Sequence, residues 1–208
     1  SNQLGGQMIL TAIPPTRDDW NVFARYQMNQ VGRSGVTVIT GKEVTPQLIS
    51  DMKPDVLIMA TGSLPAKPKV PGIDGSNVVQ ARDVLSGKVK CRGPIIVAGG
   101  GLVGCGVAEW LAVKGHKVKI VEMQADIAPD MFLNEKTTML ERWKKLDIEI
   151  FTRKKVASIA TRGIVMEGDG KSEELGGETI VLAMGAEVDQ KLARGKEKIH
   201  GFFMIGDC

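Results

Sequence analysis

Several features that would place this 208-residue chain in a particular class of protein are absent from its sequence. No run of about 18 apolar residues is present, which excludes a transmembrane helix, and no signal peptide is visible. The net charge of +3 is too small to indicate binding to nucleic acid or to a membrane. The 43% hydrophobic and 25% charged residues are ordinary for a globular protein. The few cysteines, described next, indicate free thiols in a reducing cytoplasm.

Cysteine is scarce, with Cys91, Cys105 and Cys208 only. No two of them form a Cys-x-x-Cys pair, and none has metal-ligand spacing with His116 or His200. We therefore expect free thiols, no disulfide and no metal held by this chain. Cys105 stands in the first turn of a predicted helix, where the helix dipole can lower a thiol pKa, although packing is the better explanation for it. Nucleophile–base pairs and paired carboxylates are also missing, so we predict no catalytic side chain.

Glycine, in contrast, is abundant, with 25 residues, and three of them form the strongest motif. An apolar strand over 94–98 leads into Gly99, Gly101 and Gly104, and a helix over 102–114 follows. In a dinucleotide-binding turn, the first glycine permits the tight turn and the second lets a pyrophosphate approach the backbone. The third lets the helix pack against the sheet. The spacing therefore predicts a nucleotide site.

The residues after this turn extend the pattern. Leu102 and Val103 open the helix, whose free N–H groups and positive dipole end favour phosphate. A second apolar strand over 117–121 ends in Glu122, whose carboxylate can accept hydrogen bonds from both ribose hydroxyls of an adenosine. A carboxylate at this place repels a 2′-phosphate, so we expect NAD(H) rather than NADP(H).

The rest of the chain predicts further α/β structure. In chain order we expect a helix over 19–31 capped by Asp18, a strand over 36–40, a helix over 46–52 capped by Thr45, a buried strand over 55–60, a helix over 134–146 capped by Asn134 and a strand over 148–151. Segments near 155–160, 163–167 and 178–183 alternate in polarity, which indicates an antiparallel meander with a turn at 168–170. Residues 179–185 also echo residues 56–62, which predicts two chain crossings between nucleotide-binding halves.

The order of the short motifs resembles a known family. These motifs are Leu4-Gly5-Gly6-Gln7, Ala60-Thr61-Gly62, the glycine turn, Ala183-Met184-Gly185 and Gly206-Asp207-Cys208. They resemble the FAD/NAD(P)-dependent flavoprotein reductases with two dinucleotide-binding domains. The similarity is greatest to the branch in which this module follows an Old-Yellow-Enzyme-like barrel, as in 2-enoate reductase, 2,4-dienoyl-CoA reductase and trimethylamine dehydrogenase. The resemblance implies a Rossmann-like α/β fold of the pyridine nucleotide-disulphide oxidoreductase type, with an FAD domain truncated at its N-terminus.

The resemblance also implies a division of the chain and of its binding residues. The FAD-binding domain would be discontinuous, over 1–88 and 186–208, around an NAD(H)-binding domain over 89–185. The residues implied for NAD(H) are Gly99, Gly101, Leu102, Val103, Gly104, Glu122 and Gly185. The residues implied for FAD are Gly5, Gly6, Gln7, Thr61, Gly62, Gly206 and Asp207, with Asp207 accepting a hydrogen bond from the ribitol.

In the family that the chain resembles, hydride passes from NADH to FAD. Electrons then pass through a 4Fe-4S cluster to FMN in the barrel, which reduces an activated C=C bond of an enoate or a dienoyl-CoA. The barrel of the same polypeptide would then be the partner of this module, and a homo-oligomer is a candidate assembly. The alternative is a structural module that holds ADP without hydride transfer, as in trimethylamine dehydrogenase. A thiol or peroxide reductase of the same superfamily is a weaker third possibility, because the cysteine pair is missing.

Two positions depart from the pattern of the family. The glycine fingerprint of the FAD domain should precede Leu4, so we expect a piece of a longer protein that by itself is inactive and does not hold FAD stably. Many relatives have Glu two residues after the third fingerprint glycine, near the nicotinamide. Here that residue is Gly106, and Glu109 follows one helical turn later. This departure concerns the nicotinamide half of the site and leaves the adenosine half unaffected.

Overall fold

A computed structural model of the chain describes residues 1–189, 192 and 201–207. Within these residues the helices are α1 (Gln7–Thr11), α2 (Asp18–Arg33), α3 (Pro46–Met52), α4 (Ala81–Leu85), α5 (Leu102–Val113) and α6 (Leu133–Trp143). The strands are β1 (Val56–Met59), β2 (Ser63–Pro65), β3 (Val78–Gln80), β4 (Ile95–Ala98), β5 (Val118–Val121), β6 (Ile148–Phe151), β7 (Lys155–Ala160), β8 (Gly163–Gly168), β9 (Lys171–Gly176), β10 (Thr179–Leu182), β11 (Ala186–Val188) and β12 (Gly201–Met204). None of these helices combines the length and the apolar character that a membrane crossing requires.

A parallel sheet of five strands, in the order β3-β10-β4-β5-β6, carries the main core. The four residues of β4 are all fully buried. Because successive side chains of a strand point to opposite faces, Ile95 and Val97 pack with residues of α4, α5 and α6, whereas Ile96 and Ala98 pack on the other face. A strand covered on both faces needs a continuous apolar run, which is the pattern that predicts this strand.

The other face of the sheet is covered by the antiparallel meander β7-β8-β9. Its first two strands and the turn at 168–170 confirm the prediction. The prediction of a third meander strand over 178–183 is wrong, because Lys171–Gly176 forms that strand. Thr179–Leu182 instead lies between β3 and β4 in the parallel sheet, with all four residues buried. An unbroken buried run of this kind is typical of a central parallel strand rather than of a meander.

The helices α1 to α3 and the parallel strand pair β1–β12 form a second, thinner part of the chain. The strand predicted over 36–40 is wrong, since these residues adopt no strand and Val36 and Ile39 are exposed. A β-branched run forms a strand only where a neighbouring strand pairs with it. The strand predicted over 55–60 is present as β1, but Val56 and Ile58 are exposed rather than buried.

The predicted helix caps have different outcomes. Thr45 caps α3 as expected, and its hydroxyl accepts a hydrogen bond of 3.2 Å from the N–H of Leu48. The cap predictions for Asp18 and Asn134 are wrong, because both residues lie inside the first turns of α2 and α6. Hydrophobic periodicity predicts where a helix lies, but its first residue depends on the backbone conformation of the residues before it.

The strands that follow the two echoing segments 56–62 and 179–185 lie side by side. β2 and β11 pair antiparallel, and the N–H of Ala66 donates to the carbonyl of Gly185. Residues 78–85, which form β3 and α4, precede the predicted NAD(H)-binding segment 89–185, yet they share its sheet and its core.

Candidate functional site

The three fingerprint glycines shape the turn between β4 and α5. Gly99 has a φ of 106°, and a Cβ there would lie 2.3 Å from the carbonyl oxygen of Ala183. A Cβ on Gly104 would lie 1.9 Å from the carbonyl oxygen of Gly99, so α5 approaches the turn more closely than a side chain would allow. Gly101 differs, because nothing lies within 4 Å of the place that its Cβ would take. The fold itself therefore requires two of the glycines, and the third faces open space.

Backbone donors of α5 point toward this open space. The N-cap of the helix is Gly101, which has no side chain to accept a hydrogen bond from the first turn. The first N–H groups of an α-helix have no intrahelical partner, and the positive end of the helix dipole lies among them. Leu102 and Val103, the first two helical residues, are both exposed. This arrangement suits a phosphate or a pyrophosphate.

Glu122, at the end of β5, is held against the same turn. Its side chain is buried, and one carboxylate oxygen accepts a 2.6 Å hydrogen bond from the N–H of Gly100. The other oxygen accepts a 2.7 Å hydrogen bond from the N–H of Gln124. Each carboxylate oxygen has a second lone pair, so both can still accept from a ligand. The backbone thus fixes the position of the carboxylate beside the glycine turn.

The turn lies at the point where the strand order of the sheet reverses. From β4 the chain builds outward through β5 and β6, and it then returns to β10 on the opposite side of β4. The N–H of Ala183, just after β10, donates to the carbonyl of Ala98 at the end of β4. Gly185 follows with a φ of 95° and open space where a Cβ would lie. Ligands of open α/β sheets bind at such a switch point.

The second predicted group of site residues also comes together, in the thinner part of the chain. The side-chain amide of Gln7 donates a 3.0 Å hydrogen bond to the carbonyl of Ser63, and a Cβ on Gly62 would lie 3.3 Å from that amide nitrogen. Gly5 and Gly6 immediately precede Gln7, both with positive φ. This contact brings one end of α1 to the loop after β1.

The register of β1 and β12 places two further motifs at one edge. Val56 to Met59 pair in parallel with Gly201 to Met204. The segments Thr61-Gly62 and Gly206-Asp207 therefore both follow the carboxyl ends of these strands. Cys208, the last residue of the second motif, lies outside the described residues.

One part of the site gives no signal in the sequence, namely the loop over 123–131. This loop lies against Gly100, whose carbonyl accepts a 2.7 Å hydrogen bond from the N–H of Ala128. A Cβ on Gly100 would lie 2.8 Å from Cγ2 of Ile127. The loop and the glycine turn therefore form one packed unit, which tertiary contacts alone reveal.

Gly106, which departs from the family pattern, packs closely on its neighbour, and the nearby Glu109 forms an ion pair. A Cβ on Gly106 would lie 3.1 Å from Cγ of Pro14, in the segment between α1 and α2. Glu109, one turn later, is buried and forms two hydrogen bonds with the guanidinium of Arg142, of 2.7 and 3.1 Å. This pairing raises the pKa of Arg142. A cavity of about 470 Å³ opens beside these residues.

Cys105 packs rather than reacts. Its side chain is fully buried, and its Sγ lies 3.2 Å from the carbonyl oxygen of Gly100, to which the thiol donates. Burial raises the pKa of this thiol to about 12, the opposite of the lowering that a helix dipole would cause. The structure therefore favours the packing explanation and excludes an activated thiol at this position.

Comparison with known proteins identifies the family of this chain. Residues 9–208 match the model of the pyridine nucleotide-disulphide oxidoreductase family. The chain is similar to an NADH oxidase of Thermoanaerobacter brockii, with 39% identity over 187 residues, which cover 88% of this chain and 29% of that protein. It is also similar to a bilirubin reductase of Mediterraneibacter gnavus strain CC55_001C, with 31% identity over 208 residues, which cover 99% of this chain and 32% of that protein.

One solved structure has a similar fold over the whole length of this chain. The complex of 2-naphthoyl-CoA reductase with 2-naphthoyl-CoA superposes with a TM-score of 0.94 at 29% sequence identity, covering 100% of this chain and 32% of that chain. The chain therefore spans about a third of the length of these relatives. The glycine turn on a parallel sheet, the switch point and these matches lead to one conclusion: the chain belongs to the pyridine nucleotide-disulphide oxidoreductase family.

Proposed function

We propose that this chain binds NADH at the turn between β4 and α5 and serves a longer, flavin-dependent NADH oxidoreductase. The observation that carries the proposal is the open space at Gly101, bounded by the N-terminus of α5 and by Glu122. Two neighbouring glycines have no room for a side chain, whereas this one has room for a ligand. A pyrophosphate fits such a place because it needs backbone N–H groups and no side chain in front of them.

The two sides of the switch point would bind different parts of NADH. The N–H groups of Gly101, Leu102 and Val103 would hold the pyrophosphate, and Glu122 would accept the ribose hydroxyls and repel a 2′-phosphate. The nicotinamide would then lie on the side of β10, near Gly185, where the space is open. Bound NADH supplies a hydride and FAD accepts it, so the role of the protein is to orient the two.

A second group of residues would contribute to an FAD site. Gly5, Gly6 and Gln7 would lie near the flavin, and Thr61 and Gly62 near the adenine half or the crossover. Asp207, after Gly206, would accept a hydrogen bond from the ribitol. The hydrogen bond from Gln7 to Ser63 and the shared edge after β1 and β12 support this group as one site. We further propose that the NAD(H)-binding unit, predicted as 89–185, begins ahead of β3, because β3 and α4 share its core.

The reaction proposed for the longer protein is the reduction of an activated C=C bond. Two of the similar proteins are named as reductases of bilirubin and of 2-naphthoyl-CoA, and both compounds are conjugated. The substrate site, the FMN and the 4Fe-4S cluster would belong to a barrel in the rest of that polypeptide, and a homo-oligomer is the assembly we propose to test.

One observation favours a second function, in which the chain holds ADP as a structural element. The side of α5 where many relatives have a glutamate has Gly106 packed on Pro14, and Glu109 is bound to Arg142 instead. If these contacts leave no place for the nicotinamide, only the adenosine half of a dinucleotide is recognised.

Calorimetric titration of the 208-residue chain with NADH, NADPH, ADP and FAD tests these functions together. We expect NADH to bind more tightly than ADP, NADPH to bind weakly and FAD to give no signal. The variant Glu122→Gln should weaken NADH binding roughly tenfold and improve NADPH relative to NADH, because it removes the charge and replaces one of the two acceptor oxygens with an NH2 donor that faces a backbone N–H. Glu174→Gln, at an exposed meander position, is the control. Equal affinities for NADH and ADP would favour the ADP-holding function, and no binding of either would exclude both.

A further inference from the structure

A partly buried lysine on α6 reaches the loop that packs on the glycine turn. The side chain of Lys136 is only 13% exposed. Its Nζ donates to the carbonyl oxygen of Ile127 at 2.5 Å and to Oδ2 of Asp126 at 2.6 Å. A lysine is expensive to bury unless charged or polar partners compensate for the lost water, and here the partners are two consecutive residues of one loop.

From this lysine, contacts continue to the ligand-facing backbone. The residue after Ile127 is Ala128, whose N–H donates to the carbonyl of Gly100. Ala128 adopts a φ of 41°, a left-handed conformation that is unfavourable for alanine and persists only where its surroundings enforce it. Ile127 itself fills the place beside Gly100. Gly100 is bonded directly to Gly101, so a shift of the loop moves the backbone that faces the open space.

We propose that Lys136 is a positioning residue for the dinucleotide: through Asp126, Ile127 and Ala128 it holds the glycine turn in the geometry that accepts a pyrophosphate. The inference rests on the proposed function, since it names a residue that positions that same site. Lys136 touches none of the fingerprint residues through a hydrogen bond of its own, so its effect passes through the loop.

The electrostatic surroundings agree with this role. Hydrogen bonding to Lys136 lowers the pKa of Asp126, which favours the ionised carboxylate that accepts this hydrogen bond. The charge of Lys136 also acts on Cys105, in the first turn of α5, where after the dominant effect of burial it works to lower the pKa.

The C-cap of α6 offers a control. Lys144 forms a pair with Glu141 at 2.6 Å, but these side chains are 68% and 60% exposed. A pair of this kind in water contributes little to stability, and no hydrogen bond or ion pair among the described residues joins it to the glycine turn. The variants Lys136→Met and Lys144→Met therefore each remove one lysine charge, the first beside the loop of the site and the second at the opposite end of α6.

The test is the dissociation constant for NADH and for ADP, measured by calorimetry well below the unfolding midpoint of every variant. We expect Lys136→Met to weaken both ligands by the same factor, roughly tenfold, because both carry the pyrophosphate that faces the turn. Lys136→Arg should restore most of the affinity, and Lys144→Met should leave it unchanged. A role limited to stability would lower the midpoint and leave the dissociation constants as they are.

A second readout follows the loop without any ligand. Amide hydrogen exchange at Ala128 and Gly100 should accelerate in Lys136→Met and not in Lys144→Met, because their N–H groups are bonded within the packed unit. Unchanged exchange together with unchanged affinity would overturn the proposal while wild-type binding of NADH still supported the function. Absence of binding in the wild type would refute the function, and the exchange rates would then decide alone whether Lys136 holds the loop.

Discussion

The two parts of this chain use similar apolar strands with different results. Ile96 in β4 is completely buried, whereas Ile58 in β1 is 58% exposed, although each lies in a parallel strand of four apolar residues. β4 has a strand on either side, helices on one face and a meander on the other. β1 pairs with β12 alone among the described strands. An apolar strand therefore becomes core only when other layers cover it.

The same difference applies to the two candidate binding groups. The glycine turn follows a strand that is packed on all sides, so its geometry is set by neighbouring backbone, as the contacts of Gly99 and Gly104 show. In the other group, a single hydrogen bond between exposed groups joins the first residue of α1, Gln7, to the first residue of β2, Ser63. The first group is preorganised for a ligand, and the second is held by fewer contacts.

The largest effect should come from removing the same side chain in both parts. Ile96→Ala should lower the free energy of unfolding by about 2–5 kcal/mol, because it leaves a cavity between the sheet and the meander. Ile58→Ala should change it by less than about 0.5 kcal/mol, since the side chain is already in water. Urea denaturation followed by circular dichroism measures both. Similar losses in the two variants would mean that β1 is covered in solution and that the contrast between the parts is false.

A smaller effect should separate the glycines within the packed part. Gly104→Ala should destabilise the fold by about 1–3 kcal/mol, because its Cβ would meet the backbone of Gly99 at 1.9 Å. Gly101→Ala should leave the fold intact, since its φ of −69° suits any residue and no atom lies near. That variant should instead weaken NADH binding by roughly tenfold or more.

Thermal unfolding and NADH titration of both glycine variants, with Gly170→Ala in the exposed meander turn as a second comparison, check this assignment. Gly170 has open space but a φ of 72°, so its variant should lose stability modestly and keep its affinity. If Gly101→Ala bound NADH as the wild type does, the open space would not be the pyrophosphate site.

How much the sequence could predict depends on whether the constraint is local. The turn from Gly99 to Gly104 was predictable because the spacing of the glycines after an apolar strand is itself the signal, and Gly104 packs on the carbonyl of Gly99 only five residues before it. The contact of Gly99 with Ala183 is distant in the sequence and was not predictable. Glu122 was predictable as the acid after the next strand, but its hydrogen bonds to Gly100 and Gln124 were not. A side chain's partner is decided by the packed arrangement, which residue spacing does not contain.

Non-local pairing explains the failures as well. The run at 36–40 has strand propensity without a partner strand, and the run at 179–182 has a partner on either side that periodicity could not identify. The contacts of Lys136 were unpredictable for the same reason. Nothing in the segment around it distinguishes it from Lys144, and only the fold brings its ammonium group to Ile127.

The smallest predicted effect uses a thiol as a probe of the packed part. Burial raises the pKa of Cys105 to about 12, and it raises the pKa of the half-buried Cys91 as well. The unfolded chain releases the Cys105 proton near its ordinary pKa of 9.0, whereas the folded chain keeps it. Since the folded state then binds more protons, stability is fully present below pH 9 and falls as the pH rises toward 12.

The variant Cys105→Ala removes this dependence and so isolates it from the other groups of the chain. Between pH 9 and 10, where one pH unit corresponds to at most about 1.4 kcal/mol for a single proton, the wild type should lose more stability than the variant. Cys91→Ala should reduce the pH dependence less, because Cys91 is only partly buried. Urea denaturation at pH 8, 9 and 10 measures the three slopes. Parallel curves for the wild type and Cys105→Ala would mean that water reaches the first turn of α5, and the turn would then be less rigid than its packing implies.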